Sequence, residues 1–163
     1  MQSQQFSNEF NQPAAVDFAY FEQLLPGRCL SDRAQLEAYS HDHTEDLVFY
    51  PGLVLIPVNT EEISKIMHYC NEHKIAVTAA GARTGLSGGC LPVHGGVLLS
   101  TEKLNQIIEI DQKNAQVITE PGVITEALQN AVREKGLFYP PDPASKGSCF
   151  IGGNISENSG GPK

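Results

Sequence analysis

Residues 81–89 read Gly-Ala-Arg-Thr-Gly-Leu-Ser-Gly-Gly, four glycines and two hydroxyl side chains in nine positions. That density of glycine disfavours a helix or strand interior, so the segment is a loop whose backbone lies close to something. Without Cβ atoms, consecutive N–H groups can converge into an anion-holding nest, and Thr84 and Ser87 can add hydroxyl donors. The preceding run Ile75-Ala76-Val77-Thr78-Ala79 reads as a strand. A glycine loop after a strand points to a nucleotide or dinucleotide phosphate.

The spacing excludes two familiar phosphate loops. The pattern G-x-x-x-G-x-x-G-G is neither G-x-G-x-x-G nor G-x-x-x-x-G-K-[ST], and no lysine falls where the latter needs one. Leu91-Pro92 and Gly95-Gly96 then interrupt the chain before Val97-Leu98-Leu99, so no helix is expected to start at the loop. A phosphate here would be held by loop amides and hydroxyls, without a helix N-terminus directly behind them. The plain alternative is a surface turn that binds nothing.

The rest of the pattern is that of a mixed α and β protein. Helices are expected over 14–25, with a stop at Pro26-Gly27, and over 32–39. A strand over 53–58 leads into Asn59-Thr60-Glu61-Glu62, a helix start with acidic residues in its first turn. Ile63, Ile66, Met67 and Cys70 follow at helical spacing and read as a core stripe. Strand, helix and strand over 53–79 form a βαβ-type unit that delivers the glycine loop at its C-terminal end. After a strand over 97–100, the runs 107–110 and 115–119 flank a polar turn and read as a β-hairpin. A helix carrying Ile124, Ala127, Leu128, Ala131 and Val132 ends at Gly136. Prolines at 140, 141 and 143 exclude helix or central strand there, and the glycine pairs 152–153 and 160–161 again imply close backbone approach.

Charge removes several function classes. The formal net charge of −8 comes from 19 acidic and 11 scattered basic residues, which disfavours a nucleic-acid partner. The four cysteines form no C-x-x-C and read as reduced, structural thiols. No apolar stretch approaches membrane-spanning length. Residues 1–13 lack a basic or apolar leader segment and read as a disordered tail, so the expected compartment is the cytoplasm. His41-x-His43 beside Asp42, Glu45 and Asp46 allows a metal cluster on paper, but no third ligand is fixed by spacing and no metal site is expected.

Six motifs, in order, resemble one family. They are His41-Asp42-x-Thr44-Glu45-Asp46; Pro57-x-x-Thr60-Glu61-Glu62-Ile63; the loop 81–89; Glu120-Pro121-Gly122-Val123; Pro140-Pro141-Asp142-Pro143-x-Ser145; and Ile151-Gly152-Gly153-Asn154-Ile155-x-x-Asn158-x-Gly160-Gly161. Over about residues 30–163 the chain resembles FAD-linked dehydrogenases of the vanillyl-alcohol oxidase type, in the branch of D-lactate dehydrogenase, the glycolate oxidase flavin subunit and D-2-hydroxyglutarate dehydrogenase.

The resemblance implies an α+β, two-subdomain FAD-binding domain of the PCMH type, with a first subdomain over 14–105 and a second starting at 106. The chain is read as stopping within that second subdomain. It implies noncovalent FAD, since 81–89 contains no histidine. The pyrophosphate would lie on Gly81, Ala82, Arg83, Thr84, Gly85, Leu86, Ser87, Gly88 and Gly89. The isoalloxazine and ribityl side would meet Glu120, Pro121, Gly122, Val123, Pro141, Asp142, Ser148, Gly152, Gly153, Ile155 and Asn158. The implied reaction is hydride transfer from a 2-hydroxy acid to the flavin, giving the 2-oxo acid, with a protein or quinone as electron acceptor and a homodimer left open. In relatives the catalytic and metal-binding groups lie beyond the region matched here, so no catalytic residue is assigned. The other reading is a noncatalytic flavin- or nucleotide-binding piece. Arg83, the one cation in the loop, pairs with a phosphate or a carboxylate, or faces solvent.

Overall fold

The computed structural model describes residues 9–44 and 46–162. Residues 1–8 of the expected tail and Glu45 of the first motif lie outside the described residues. In chain order the elements are α1 (Ala15–Leu24), β1 (Cys29–Leu30), α2 (Arg33–Glu37), β2 (Leu53–Leu55), α3 (Thr60–Glu72), β3 (Val77–Ala80), β4 (Val97–Ser100), β5 (Ile107–Asp111), β6 (Gln116–Thr119), α4 (Thr125–Glu134) and α5 (Ile151–Ser156).

A four-stranded sheet runs β1-β2-β4-β3, with β4 parallel to both neighbours and β1 antiparallel to β2. All four residues of β4 are buried, as befits a central parallel strand covered on both faces. Alternation then divides the core. Leu53, Leu55, Val97 and Leu99 pack with Phe21, Leu25, Ile66 and Cys70 on one face, while Val54 and Leu98 meet Leu36, Ile56 and Ala80 on the other. The two strands of the expected βαβ unit are therefore not neighbours, because β4 inserts between them.

This order sets the position of the glycine loop. Parallel neighbours need a long return connection, which is usually a helix. Between β3 and β4 the return is residues 81–96, with no helix in it. A glycine-rich crossover thus leaves the C-terminal end of β3 beside the sheet.

The second unit is the β5–β6 hairpin, α4 and α5. The hairpin is antiparallel, with a register shift between Ile107 and Glu109. Its core joins Val123, Leu128, Val132 and Ile151, flanked by Ile107, Ile110 and Val117. Asp111 shapes the turn by accepting the N–H groups of Lys113 and Asn114.

Several expectations are corrected. The strand expected over 53–58 ends at Leu55, and the one expected over 75–79 begins at Val77. Met67 is 46% exposed and leaves the stripe that Ile66 and Cys70 bury. Ile124 caps α4 at 39% exposure and Ala127 is exposed, whereas Thr125 is fully buried. Thr125 Oγ1 accepts from Asn154 Nδ2, so a satisfied polar pair replaces an apolar one. Within the expected tail, Asn11 and Gln12 bond to the rest of the fold. The Asn11 N–H donates to the Lys74 carbonyl, and Gln12 donates to the His94 carbonyl while accepting from the Gly96 N–H. The arm is held because it satisfies backbone groups at the end of the crossover.

At the start of α3, Asn59 accepts from the Glu62 N–H, and Glu62 reaches back to the Val58 N–H. Arg28 donates to both oxygens of Glu62 at 2.7 Å. Those bonds hold the Glu62 carboxyl below its ordinary value of 4.5. A depressed folded-state pKa stabilises the fold above about 4.5, and this contribution is lost as pH falls through the folded value. Glu62→Gln is therefore expected to cost about 1–2 kcal/mol at pH 7. It should also flatten the fall of Tm on acidification, read by circular dichroism melts against pH.

Candidate functional site

A cleft of about 660 Å³ lies between the glycine loop and the second unit, within the usual range for small-molecule sites. One wall is β3 and Gly81, Ala82, Arg83, Thr84, Gly85, Ser87, Gly88 and Gly89. The facing wall is Pro121, Cys149, Phe150, Gly152, Gly153, Asn154 and Glu157.

The loop has the properties of an anion cradle. Among the described residues, no backbone N–H from Gly81 to Gly89 donates to a backbone carbonyl or a side chain. Polar groups left so are satisfied by solvent or by a ligand. Arg83 has φ 57° and Gly88 φ 74°, left-handed backbone of the kind that turns successive N–H groups toward one point. The first motif buttresses the loop. The His43 N–H donates to the Gly85 carbonyl, and Thr44 Oγ1 is buried without a hydrogen-bond partner among the described residues. Asp42 is buried, lines the cleft and accepts from the Thr44 N–H. Both histidines of that motif are exposed, and no metal-holding cluster occurs among the described residues.

Arg83 is held over the Tyr39 ring, with its guanidinium carbon 4.4 Å from the ring centroid. Tyr39 in turn donates to Glu102, which also accepts from Ser100 Oγ. Burial, with Glu102 alongside, raises the Tyr39 pKa. The loop's cation is thus fixed by a cation–π contact and kept at the cleft. Burial pushes the neighbouring Cys90 thiol up to about 11, so it is neutral and a poor nucleophile. Cys149 is buried against Thr125 Oγ1 at 3.2 Å.

The facing wall rests on one close approach. Gly152 and Ile151 donate backbone N–H groups to the Pro121 and Val123 carbonyls, which lays α5 on the turn 120–123. A Cβ on Gly152 would stand 2.6 Å from the Pro121 Cβ. Gly122 is needed for packing, since a Cβ there would run into the Thr101 and Leu104 carbonyls.

Of the residues singled out from sequence, the cleft gathers Gly81, Ala82, Arg83, Thr84, Gly85, Ser87, Gly88, Gly89, Pro121, Gly152 and Gly153. The others lie off its lining. Leu86 and Ile155 are 77% and 72% exposed. Val123 is core, and Glu120 accepts from the Gln106 N–H at the hairpin base. Pro141 accepts from Gln129, Asp142 pairs with Lys146, and Ser148 donates to the Ser145 carbonyl. Asn158, at φ 53°, turns the chain just after α5. Sequence reasoning missed Asp42, Phe150, Cys149, Asn154 and Glu157. The motifs around 42 and 154 were the available signal, but only the fold brings those residues to the loop.

Comparison with known proteins gives this cleft a chemical context. The FAD binding domain family matches residues 51–163. The chain is 48% identical over 123 residues to glycolate oxidase subunit GlcD of Bacillus subtilis (strain 168), covering 76% of this chain and 26% of that protein. It is 40% identical over 138 residues to D-2-hydroxyglutarate dehydrogenase of Stutzerimonas stutzeri (strain A1501), covering 85% and 30%. The chain thus spans between a quarter and a third of the length of these curated relatives. A crystal structure of p-cresol methylhydroxylase with substrate bound superposes with a TM-score of 0.65 at 27% identity, covering 74% of this chain and 24% of that one. These matches agree with the family and the α+β PCMH-type fold that the six motifs implied.

Proposed function

The chain belongs to the FAD binding domain family, and from that premise we propose that it forms the FAD-holding part of an oxidoreductase that converts a 2-hydroxy acid to the 2-oxo acid. The observation that carries this reading is the row of uncommitted amides from Gly81 to Gly89 facing the turn and α5 across the cleft. Two phosphates need convergent donors, and a flat ring needs apolar contact with a few polar groups at its edge. The loop supplies the first requirement. Phe150, Pro121 and the glycine face of α5 supply the second.

Bound FAD supplies the two-electron acceptor for oxidation of the carbon that bears the substrate hydroxyl. This chain's residues bind, orient and exclude water. Arg83, fixed on Tyr39, sets positive charge beside the diphosphate. Gly152 and Gly153 leave two cleft-lining positions of α5 without side chains, beside Asn154 and Ser156, so the ring can lie against backbone there. Asp142, Pro141, Ser148, Ile155 and Asn158 are assigned to the same ring-side group, as are Glu120, Gly122 and Val123, acting through the backbone they shape. No histidine lines the cleft among the described residues, and the Cys90 thiol is neutral, which supports noncovalent FAD.

D-Lactate, glycolate and D-2-hydroxyglutarate are the substrate candidates, because the relatives named glycolate oxidase and D-2-hydroxyglutarate dehydrogenase share the matched region and so does a D-lactate dehydrogenase. The reading includes a protein or quinone acceptor, a homodimer and a cytoplasmic setting. No helix among the described residues is long and apolar enough to cross a membrane. It also includes the division near residue 105, supported by the separate core of the second unit.

The test is the absorption spectrum of the purified protein after reconstitution with FAD. Near-ultraviolet and blue flavin bands that stay with the protein through gel filtration, and that bleach without oxygen on addition of one of the three acids, are expected. Failure to retain FAD would overturn the reading. Retention without bleaching by any of the three would overturn the substrate class.

A further inference from the structure

Glu157, the residue after the last turn of α5, reaches across the cleft to the glycine loop. Ser87 Oγ donates to its Oε2 at 2.6 Å. Its Oε1 would be in close contact with a Cβ on Gly89, so the carboxylate rests beside the loop backbone. Among the described residues, no lysine or arginine forms an ion pair with Glu157. The group is exposed and free to rotate away. An anionic acceptor thus sits on the hydroxyl and the glycine pair that read as phosphate contacts.

We propose that Glu157 is an internal surrogate for phosphate: its carboxylate occupies the Ser87–Gly89 end of the loop while the diphosphate is absent, and it must leave before FAD binds. The inference rests on the FAD reading above and adds a residue that sets affinity for the cofactor. The physical reason for competition is shared donors. Ser87 has one hydroxyl hydrogen, so two anions cannot both accept it, and at this exposed end of the loop their mutual repulsion adds only modestly to that exclusion. Neutralising or removing the carboxylate leaves the nest open to the diphosphate. A part of the cofactor with no phosphate does not feel the change.

The test compares wild type, Glu157→Gln and Glu157→Ala in the purified protein freed of flavin. Dissociation constants are read by fluorescence titration with FAD and with riboflavin, and by calorimetry with inorganic pyrophosphate. FAD and pyrophosphate are expected to bind about three- to tenfold tighter to both variants, the range for one hydrogen-bonded surface contact. Riboflavin affinity should stay unchanged. Unchanged or weaker FAD and pyrophosphate binding would overturn the proposal and make Glu157 a tie between the two walls. Equal gains for riboflavin would overturn it as well, since the effect would then be on the cleft and not on the nest. A wild-type protein that binds pyrophosphate but not FAD would overturn the FAD reading and leave the competition itself measurable.

Discussion

Gly152→Val is expected to lower FAD affinity by about a hundredfold, equivalent to about 2.7 kcal/mol, and to lower stability by about 1–3 kcal/mol. The cause is the contact of α5 with the turn 120–123. A Cβ at 152 would lie 2.6 Å from the Pro121 Cβ, 3.0 Å from its carbonyl oxygen and 3.2 Å from its Cα. Two of those atoms are backbone, and the Gly152 N–H is bonded to that same carbonyl at 2.8 Å. Neither side can yield locally. The helix must therefore move off the turn and into or away from the cleft whose wall it forms. Gly153 is the internal control. It lines the same cleft in the same helix, and a Cβ there meets nothing within 4 Å. Gly153→Ala should raise stability by up to about 1 kcal/mol through helix propensity. Thermal melts and flavin fluorescence titrations of the two variants check both statements. Equal stability of Gly152→Val and wild type would show that the close approach is not what holds the wall.

The same residue explains what was not legible in the sequence. Gly152-Gly153 reads as loop because glycine is a poor helix former, and α5 exists because its backbone is tied to residues about thirty positions earlier. Tertiary contact overrides propensity there. The insertion of β4 between β2 and β3 was likewise hidden, since strand order is a long-range property that no local pattern carries. The hairpin, the Asn59 cap and the glycine loop were readable. Each rests on residues within a few positions of one another, where alternation, capping chemistry and glycine content act directly. At the site, the loop wall was legible and most of the facing wall was not. Thr125 and Asn154 show why: a buried polar pair leaves no hydrophobic trace, and its two members are in adjacent elements only after folding.

Gly88→Val and Gly89→Val are expected to abolish FAD retention by different routes, and stability separates them. Gly88 has φ 74°, a conformation that a β-branched residue adopts only with strain of about 1–2 kcal/mol. Its Cβ would also press on Leu91 Cδ1 at 3.3 Å. Valine at 88 therefore lowers the melting temperature, and relief of the strain by peptide rotation turns an N–H out of the nest. Gly89 has no such backbone demand. Its Cβ would meet the end of one flexible side chain, the Glu157 carboxylate, which can swing into solvent. Valine at 89 should leave stability within about 1 kcal/mol of wild type while filling the volume that an anion would take. Flavin retained by Gly89→Val would place the diphosphate away from this end of the loop. A lowered melting temperature in Gly88→Val, an unchanged one in Gly89→Val and no bound flavin in either would tie the loop's backbone shape to one purpose, presenting bare amides to an anion.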